Sequence, residues 1–364
     1  MSFKGNYHFV ILLLFLHDYN VFADNKYTDI IVGEKGQEET KCDIFQGSWV
    51  FDNASHPLYD SKSCPFIGNG FDCQKNGRPD KDYQHYRWQP SGCNIPRFDG
   101  RDFLKRYRGK KILLVGDSLS NNMWVSLSCM LHASVPNSTY TFHFSNPLST
   151  FTIPEYEITV NWIKNGFLVD LVWDKRGKIL KLDSISSGRQ WLGADVVIFN
   201  TFHWWTHTGR AKSWDYFQVG ETIVEEMDRM EAFKIALTTW GKWVDKNIDP
   251  SECRVFFQGV SVSHFNATEW GGKKGKSCVG ETGPVKGQKY PGPRDKGEAI
   301  ARSVIKGMAK PAYLLDVTLL TQLRKDGHPS SYAGRPGKDC SHWCLPGAPD
   351  AWNELLYAAL TTSF

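Results

Sequence analysis

The sequence predicts an α/β fold in which helices cover both faces of a mostly parallel sheet. Residues 196–199 and the four residues that follow Lys111 in the segment 111–115 are short, continuous apolar runs, a pattern typical of strands that are buried on both faces. Residues 255–257 and 312–315 have the same character. Segments with helical spacing separate these runs, and such an alternation of strand and helix favours a parallel sheet.

The helical segments follow the predicted strands along the chain. Apolar residues recur at helical spacing over residues 124–131, directly after the first strand. Residues 214–244 predict one long helix, and residues 294–308 predict another. Pro349 suits the first turn of a C-terminal helix.

The first residues predict entry into the secretory pathway. Lys4 precedes an apolar run over residues 9–16, and small residues end at Ala23. This run is too short to span a bilayer, which needs about 20 residues. We therefore expect residues 1–23 to be a cleaved signal peptide and residues 24–41 to be a polar linker.

Nine cysteines in a secreted chain predict disulfides, and the odd number leaves at least one thiol free. Cys253 is the candidate, because it precedes a predicted buried strand; the other pairings stay open. Residues 42–97 hold four cysteines but little aliphatic content, which predicts a small cysteine-rich domain that depends on disulfides and on packing against residues 98–364. Glycosylation sequons, which suit the same compartment, begin at Asn53, Asn137 and Asn266.

Charge and motifs exclude several classes of function. The net charge of +4 is mild, far from the basic stripe of a nucleic-acid-binding protein. Neither a Gly-x-Gly-x-x-Gly sequence nor a Walker loop is present, so a nucleotide-binding fold is not expected.

Gly116-Asp117-Ser118-Leu119 follows the first predicted strand and opens a helix. Ligands of open α/β sheets bind beyond the carboxyl ends of the strands. A serine at this turn faces the cleft, and its backbone N–H at the helix N-terminus can donate to an oxyanion. Ser118 is therefore the candidate nucleophile.

A serine nucleophile needs a base, and Asp339-Cys340-Ser341-His342 offers a histidine with a carboxylate to orient it. The predicted triad is Ser118, His342 and Asp339. The competing interpretation is a zinc site made by Cys340, His342 and Cys344. An oxidising compartment disfavours thiolate ligands, so we expect no metal.

The loop after residue 199 supplies further candidates. Asn200 could donate a second hydrogen bond to the oxyanion or could serve as an ordinary loop asparagine. His203 and His207 are spaced four residues apart, but no glutamate follows His203 as in a metalloprotease pattern, so a structural role or a substrate contact is favoured over metal for this pair. Trp204 and Trp205 are candidates for stacking on a sugar ring. Three lysines in a Gly-rich loop could meet an acidic polymer or could simply be solvated, namely Lys273, Lys274 and Lys276.

Two motifs together resemble the plant trichome birefringence-like family: Gly-Asp-Ser-Leu-Ser at residues 116–120 and Asp-Cys-Ser-His-Trp-Cys-Leu-Pro-Gly at residues 339–347. The segment from Cys42 through Tyr-Arg-Trp-Gln-Pro at residues 86–90 to Cys93 is similar to that family's cysteine-rich N-terminal domain. The resemblance covers nearly all of the chain after residue 41 and is greatest to the branch linked with pectin and powdery mildew resistance.

This resemblance implies a three-layer fold similar to the GDSL/SGNH esterases and a double-displacement reaction. Ser118 would attack an acetyl donor, such as acetyl-CoA or an acetylated carrier, as co-substrate, with no bound cofactor. His342, oriented by Asp339, would then activate a sugar hydroxyl of pectin or hemicellulose, while Asn200 helps to bind the oxyanion. The implied disulfides are Cys42–Cys93, Cys64–Cys129, Cys73–Cys344 and Cys278–Cys340.

The sequence also departs from the family pattern. Many members carry Arg-Asn-Gln shortly after the serine, where this chain has Asn121-Asn122-Met123. Asn122 is retained as a candidate substrate contact. Many members are anchored in the Golgi membrane. A cleaved signal would place this chain in the Golgi lumen or the cell wall, and an uncleaved signal, the alternative, would anchor it in the Golgi membrane.

Three functions stay open at this point. The first is a polysaccharide O-acetyltransferase, and the second is an acetylesterase that uses the same residues with water as acceptor. The third is a wall-polymer binding protein without turnover. The expected partners are a wall polysaccharide and a membrane protein that supplies the acetyl donor; the chain itself is expected to be monomeric.

Overall fold

A computed structural model describes residues 42–361 of the 364-residue chain. The signal peptide and linker predicted for residues 1–23 and 24–41 lie outside the described residues. In chain order, the helices and strands are β1 (Gly47–Phe51), β2 (Tyr86–Pro90), α1 (Gly100–Arg106), β3 (Lys111–Gly116), α2 (Ser118–Ser134), β4 (Thr141–His143), β5 (Leu148–Ile153), β6 (Ile158–Lys164), β7 (Asp170–Asp174), β8 (Gly177–Lys181), β9 (Val196–Phe199), β10 (Tyr216–Val219), β11 (Thr222–Val224), α3 (Arg229–Asn247), β12 (Arg254–Gln258), α4 (Lys296–Lys306), β13 (Tyr313–Leu315), α5 (Thr318–Gln322) and α6 (Ala348–Thr361).

The main sheet confirms the predicted α/β fold. Within residues 42–361 it has seven strands in the order β13-β12-β9-β3-β6-β5-β4. The five strands from β13 to β6 run parallel, and β5 and β4 add antiparallel pairs at one edge. Strand β3 therefore lies in the middle of the parallel part.

Strand β3 is buried on both faces, as its continuous apolar sequence predicts. Ile112 and Leu114 pack in a hydrophobic cluster with side chains of α1, α2 and α6. Leu113 and Val115 alternate with them and pack in a second cluster with side chains of α3 and α4. The sheet is therefore the middle layer of three, and its central strand carries the chain directly into α2.

One predicted helix is partly wrong. Only Arg229–Asn247 of the segment predicted as helical is helix α3. Strands β10 and β11 precede it and form a hairpin that joins β8 and β7 in a second, four-stranded sheet. Gly220 turns this hairpin with a φ of 54°, a left-handed conformation that glycine adopts easily. Helix α3 begins after Asp228, whose carboxylate accepts hydrogen bonds from the first-turn N–H groups.

The cysteine-rich segment packs against the larger domain. Its strands β1 and β2 pair Trp49 with Trp88, and the indole N–H of Trp49 donates to the backbone carbonyl of Leu320 at 2.9 Å. The buried guanidinium of Arg324 lies over the Trp49 ring. The segment thus gains its core by contact with its neighbour, as its composition predicts.

The disulfides are the four pairs that the family resemblance implied: Cys42–Cys93, Cys64–Cys129, Cys73–Cys344 and Cys278–Cys340. Cys253 carries the free thiol, is half-buried and directly precedes β12. Burial raises its pKa to about 11, so it is a poor nucleophile.

The three sequon asparagines, Asn53, Asn137 and Asn266, are exposed. Across residues 42–361 we find no helix whose length and hydropathy would let it cross a membrane.

Candidate active site

Ser118 is the first residue of α2, immediately beyond the carboxyl end of β3. The Asp117 carboxylate caps the helix by accepting the backbone N–H of Leu119 at 2.8 Å. Asp117 is fully buried, and this burial raises its pKa to about 6. At Gly116 a Cβ atom would lie 2.7 Å from the carbonyl oxygen of Asn200. The strand can therefore approach the Asn200 loop only because residue 116 has no side chain.

The three residues of the predicted triad lie together. The His342 Nε2 atom is 2.7 Å from the Ser118 Oγ atom, and His342 Nδ1 is 2.8 Å from Asp339 Oδ2. Asp339 is buried, which opposes ionisation, but its hydrogen bond to His342 holds the pKa of this carboxyl well below its ordinary value. An ionised Asp339 fixes the tautomer in which His342 Nδ1 carries the proton and Nε2 can accept one from the serine.

Covalent and backbone contacts restrain the loop that carries His342. Cys340 and Cys344, on either side of this histidine, are disulfide-bonded to Cys278 and Cys73. The Asp339 backbone also forms an isolated β-bridge with Ser330. Since both flanking cysteines are in disulfides, they do not provide the thiolates that the zinc interpretation requires.

Asn122 supports this loop from α2 and does not contact the crevice. Its side chain is fully buried, accepts the backbone N–H of Trp343 at 2.8 Å and donates to the Trp343 carbonyl at 3.1 Å. The prediction of a substrate contact at Asn122 is wrong for this physical reason: both ends of its amide are occupied by backbone. The same helix thus carries Ser118 and holds the residue that follows His342.

A buried histidine pair lies behind the His342 loop, and the sequence analysis missed it. His328 Nδ1 bonds to the His342 carbonyl at 2.7 Å, His328 Nε2 lies 2.7 Å from His264 Nδ1, and His264 Nε2 bonds to the Gln322 carbonyl at 3.0 Å. Carbonyl oxygens only accept hydrogen bonds, so His328 Nδ1 and His264 Nε2 each carry a proton. A hydrogen bond between the two rings, from His328 Nε2 to His264 Nδ1 or the reverse, needs a third proton. Burial opposes that third proton, because it lowers the pKa of both rings, that of His264 to about 4.

Ser118 and His342 open into a crevice of about 950 Å³. His203 and Trp204 line it, as the sequence analysis expected, and the His203 ring centroid lies 6.2 Å from that of His342. Burial lowers the pKa of His203 to about 3, so this ring stays neutral at physiological pH. His207, which the sequence analysis named together with His203, lines it as well. Three further crevice residues were not found from the sequence, where they carry no motif: Phe265, Arg335 and Lys338.

The two tryptophans differ in exposure. Trp205 is fully buried, and its indole N–H donates to Thr201 Oγ1 at 2.9 Å. The prediction that Trp205 stacks on a sugar is therefore wrong, because no face of its ring reaches the crevice. Trp204 is half-buried and lines the crevice, with the Lys164 ammonium over its ring.

Asn200 follows β9 and lies next to the serine turn. Asn200 is almost fully buried. A Cβ atom added to Gly116 would lie 3.0 Å from the Cβ atom of Asn200. No described residue hydrogen-bonds to its Oδ1 atom. This oxygen can only accept, so an oxyanion would be bound by the Nδ2 group of Asn200, and that role stays a prediction.

Two family models match nearly all of the described chain. A model described as "GDSL/SGNH-like Acyl-Esterase family found in Pmr5 and Cas1p" matches residues 95–359, and one described as "PMR5 N terminal Domain" matches residues 40–94. The first match includes the serine turn and the Asp339–His342 loop.

Curated plant proteins are similar over nearly the full length. Protein trichome birefringence-like 42 of Arabidopsis thaliana is 67% identical over 98% of this chain and 99% of that protein. Protein trichome birefringence-like 38 of the same plant is 50% identical over 94% of this chain and 90% of that protein. Protein trichome birefringence, also from Arabidopsis thaliana, is 43% identical over 90% of this chain and 57% of that protein.

Proposed function

The chain belongs to the trichome birefringence-like family with an acyl-esterase-like domain, and from this premise we propose that it transfers acetyl groups to a plant cell-wall polysaccharide. The observation that carries the proposal is the contact of 2.7 Å between His342 Nε2 and Ser118 Oγ, backed by Asp339. A hydroxyl hydrogen-bonded to an oriented imidazole is the arrangement that makes serine a nucleophile.

In the first half-reaction, Ser118 Oγ attacks the carbonyl carbon of the acetyl donor while His342 Nε2 takes the hydroxyl proton. The negative charge that develops on the carbonyl oxygen is stabilised by the Ser118 backbone N–H and the Asn200 amide. The intermediate collapses when the bond to the donor breaks, and His342 returns the proton to the leaving group. The product is an acetyl ester on Ser118.

In the second half-reaction, a sugar hydroxyl enters the crevice and gives its proton to His342 Nε2. Its oxygen attacks the acetyl carbon, the bond to Ser118 Oγ breaks, and His342 returns the proton to the serine. In each half-reaction a single proton moves to His342 Nε2 and is then returned from it, so the proposed reaction needs no metal and no bound cofactor. An acetyl-CoA-like molecule or an acetylated carrier, supplied through a membrane protein, is the proposed co-substrate.

Acetylester hydrolysis is the second candidate. Ser118 is only half-buried and the His342 side chain is 17% exposed, so water can reach the acyl-enzyme. Water and a sugar hydroxyl need the same base, and the triad therefore does not distinguish transfer from hydrolysis. The outcome depends on which acceptor the crevice binds better.

Two incubations of the purified protein separate the candidates. One offers de-acetylated pectin with an isotopically labelled acetyl donor, and the other offers acetylated pectin in water; Ser118→Ala is the control in both. We expect labelled acetyl on the glycan to exceed acetate released. Acetate release without transfer would establish the esterase instead. A rate that Ser118→Ala leaves unchanged would exclude both and favour a polymer-binding protein.

A further inference from the structure

We infer that Phe144 and Leu148 form a sugar-binding platform beside the active-site crevice, and that a glycan chain several units long crosses this platform on its way to Ser118. The inference rests on the proposed function and adds a binding subsite to it. The platform belongs to the connection between β4 and β5, which lies outside the crevice lining.

The register of the main sheet places this connection at the same end of the sheet as the nucleophile. Gly116 of β3 lies opposite Lys164 of β6. Ile163, also in β6, lies opposite Leu148 of β5. Ser118 lies directly beyond β3 and Leu148 begins β5, so both lie at the carboxyl edge of the parallel strands. Two strand spacings separate them, a lateral offset on the order of 10 Å.

Lys164 connects the platform with the crevice. Its backbone N–H donates to the Pro147 carbonyl at 2.9 Å, within the β4–β5 connection. Its ammonium lies over the ring of Trp204, 5.8 Å from the centroid, and Trp204 lines the crevice that contains Ser118. A ligand that extends from the crevice past Trp204 therefore meets Lys164 and then the connection.

The platform is apolar and open to solvent. Phe144 is 62% exposed and Leu148 is 43% exposed, and Asn146 and Pro147 between them are exposed as well. Single exposed apolar residues are ordinary on a protein surface, whereas a contiguous group of them marks an interaction surface.

The Phe144 ring is held in place by its neighbours. It stacks on Trp162 with the ring centroids 6.0 Å apart, and its centroid lies 6.4 Å from that of Trp124. Both tryptophans are buried. The Ser149 hydroxyl closes the connection, because it accepts the Ser145 backbone N–H at 3.1 Å and donates to the Ser145 carbonyl at 2.9 Å. A preorganised surface of this kind loses little conformational entropy when a ligand binds.

The chemistry of the connection favours a sugar over other ligands. Residues 144–149 carry no ionisable side chain, so a charged partner has nothing to pair with there. An aromatic face binds the apolar face of a pyranose ring, and the exposed Asn146 amide both donates and accepts hydrogen bonds, as sugar hydroxyls require. The proposed polymer substrate supplies such rings on either side of the unit at Ser118.

The test measures how acetate release depends on chain length, with acetylated digalacturonide or acetylated hexagalacturonide as the sole acyl source. Acetylated xylobiose and xylohexaose form a second pair, because the platform does not depend on the kind of sugar. The readout is the ratio of kcat/KM for the hexamer to that for the dimer. We expect the wild type to prefer the hexamer and Phe144→Ala to reduce the ratio on the order of 5-fold.

The reduction should come from KM, because a contact remote from the reacting atoms binds the substrate and the transition state equally. Phe144→Tyr keeps the ring and should keep the ratio. Phe51→Ala is the matched control, since Phe51 is an exposed aromatic residue that does not line the crevice; it should leave the ratio unchanged. Hydrolysis of p-nitrophenyl acetate, which carries no sugar, should be equal in the wild type and all three variants.

Three results would overturn the inference and leave the acetyl chemistry standing. The first is a wild type that prefers neither hexamer, and the second is a ratio that Phe144→Ala does not change. The third is a loss of p-nitrophenyl acetate hydrolysis in Phe144→Ala that matches the loss with the hexamer, because the residue would then act on the catalytic centre itself.

Titrations of unacetylated hexagalacturonide and xylohexaose into the Ser118→Ala protein separate this inference from the proposed function. If no acetylated glycan is turned over but a hexamer binds in a Phe144-dependent way, the platform stands and the proposed reaction fails. If there is neither turnover nor binding, both are wrong. A wild-type dimer that Phe144→Ala dissociates, measured by sedimentation, would show that a second copy of the chain covers the platform and would also overturn the inference.

Discussion

The His342 imidazole reaches the Ser118 hydroxyl at 2.7 Å although 224 residues separate the two along the chain. Helix α2 explains how, because it presents Ser118 at its first residue and holds the Trp343 backbone through the Asn122 side chain. A nucleophile and its base that depend on one helix keep their relative position when the surrounding loops move. Near-attack geometry of this kind is worth several orders of magnitude in rate.

Asp339→Asn should lower kcat by roughly 10³- to 10⁴-fold without unfolding the protein. An amide NH₂ facing His342 Nδ1 would force that nitrogen to accept, leaving Nε2 protonated and unable to take the Ser118 proton. Steady-state acetate release measures the loss, and circular dichroism checks the fold. Activity within a factor of a few of wild type would mean that Asp339 does not set the tautomer.

Asn122→Ala should lower kcat on the order of 10-fold and leave KM nearly unchanged. The variant leaves the buried N–H and C=O of Trp343 without partners, which should also reduce the free energy of unfolding by about 3 kcal/mol. Asn121→Ala is the control, because the Oδ1 atom of this neighbouring asparagine accepts no hydrogen bond in the described chain. A rise in KM with kcat intact would restore Asn122 as a substrate contact.

His264→Gln should make the protein less sensitive to acid. In the folded protein His264 stays neutral down to about pH 4, whereas in the unfolded chain it takes up a proton near pH 6.5. The unfolded state therefore binds more protons as the pH falls, and the wild type loses stability through this residue below pH 6.5. Between pH 7 and pH 4.5 the loss should be about 2 kcal/mol larger in the wild type than in the variant, measured by urea denaturation. Equal losses would show that the buried pair already carries a proton at neutral pH.

Replacing Cys278 and Cys340 together by serine should weaken the loop that carries His342. The disulfide closes a loop with a sequence separation of 62, and its loss is expected to destabilise the fold by about 4 kcal/mol. Because Cys340 lies two residues from His342, kcat should also fall. Cys253→Ser, which removes the free thiol, should change neither quantity. A double variant with full activity would show that the loop is held without this bridge.

Sequence reasoning found the parts of the fold that are buried on both faces. Strand β3 is recognisable in the sequence because Ile112 and Leu113 pack on opposite layers, so every position from Ile112 to Val115 is apolar. The sequence of β10 and β11 predicts helix instead of strand, because Phe217 and Val224 are spaced seven residues apart, which also fits two helical turns. The Gly220-Glu221 pair between the β-branched residues Val219 and Thr222 is the signal that favours a hairpin there.

At the candidate site, too, the sequence identifies residue types but not the direction in which a side chain points. Motifs located Ser118, His342 and Asp339, because catalytic chemistry restricts which residue types can occupy those positions. The predictions of substrate contacts at Asn122 and Trp205 are wrong because the sequence does not tell whether a polar or aromatic side chain faces a crevice or the interior. The sequence around Arg335 carries no motif and does not show that the fold places this residue at the wall of the crevice.

The central claim, that Ser118 is a nucleophile activated by His342, is tested most directly with a serine-reactive fluorophosphonate probe and mass spectrometry of the labelled protein. We predict a single adduct on the peptide that contains Ser118, none in Ser118→Ala, and labelling of His342→Ala slowed at least 10³-fold. A wild-type protein that takes up no probe, or that labels equally well after Ser118→Ala, would contradict the account.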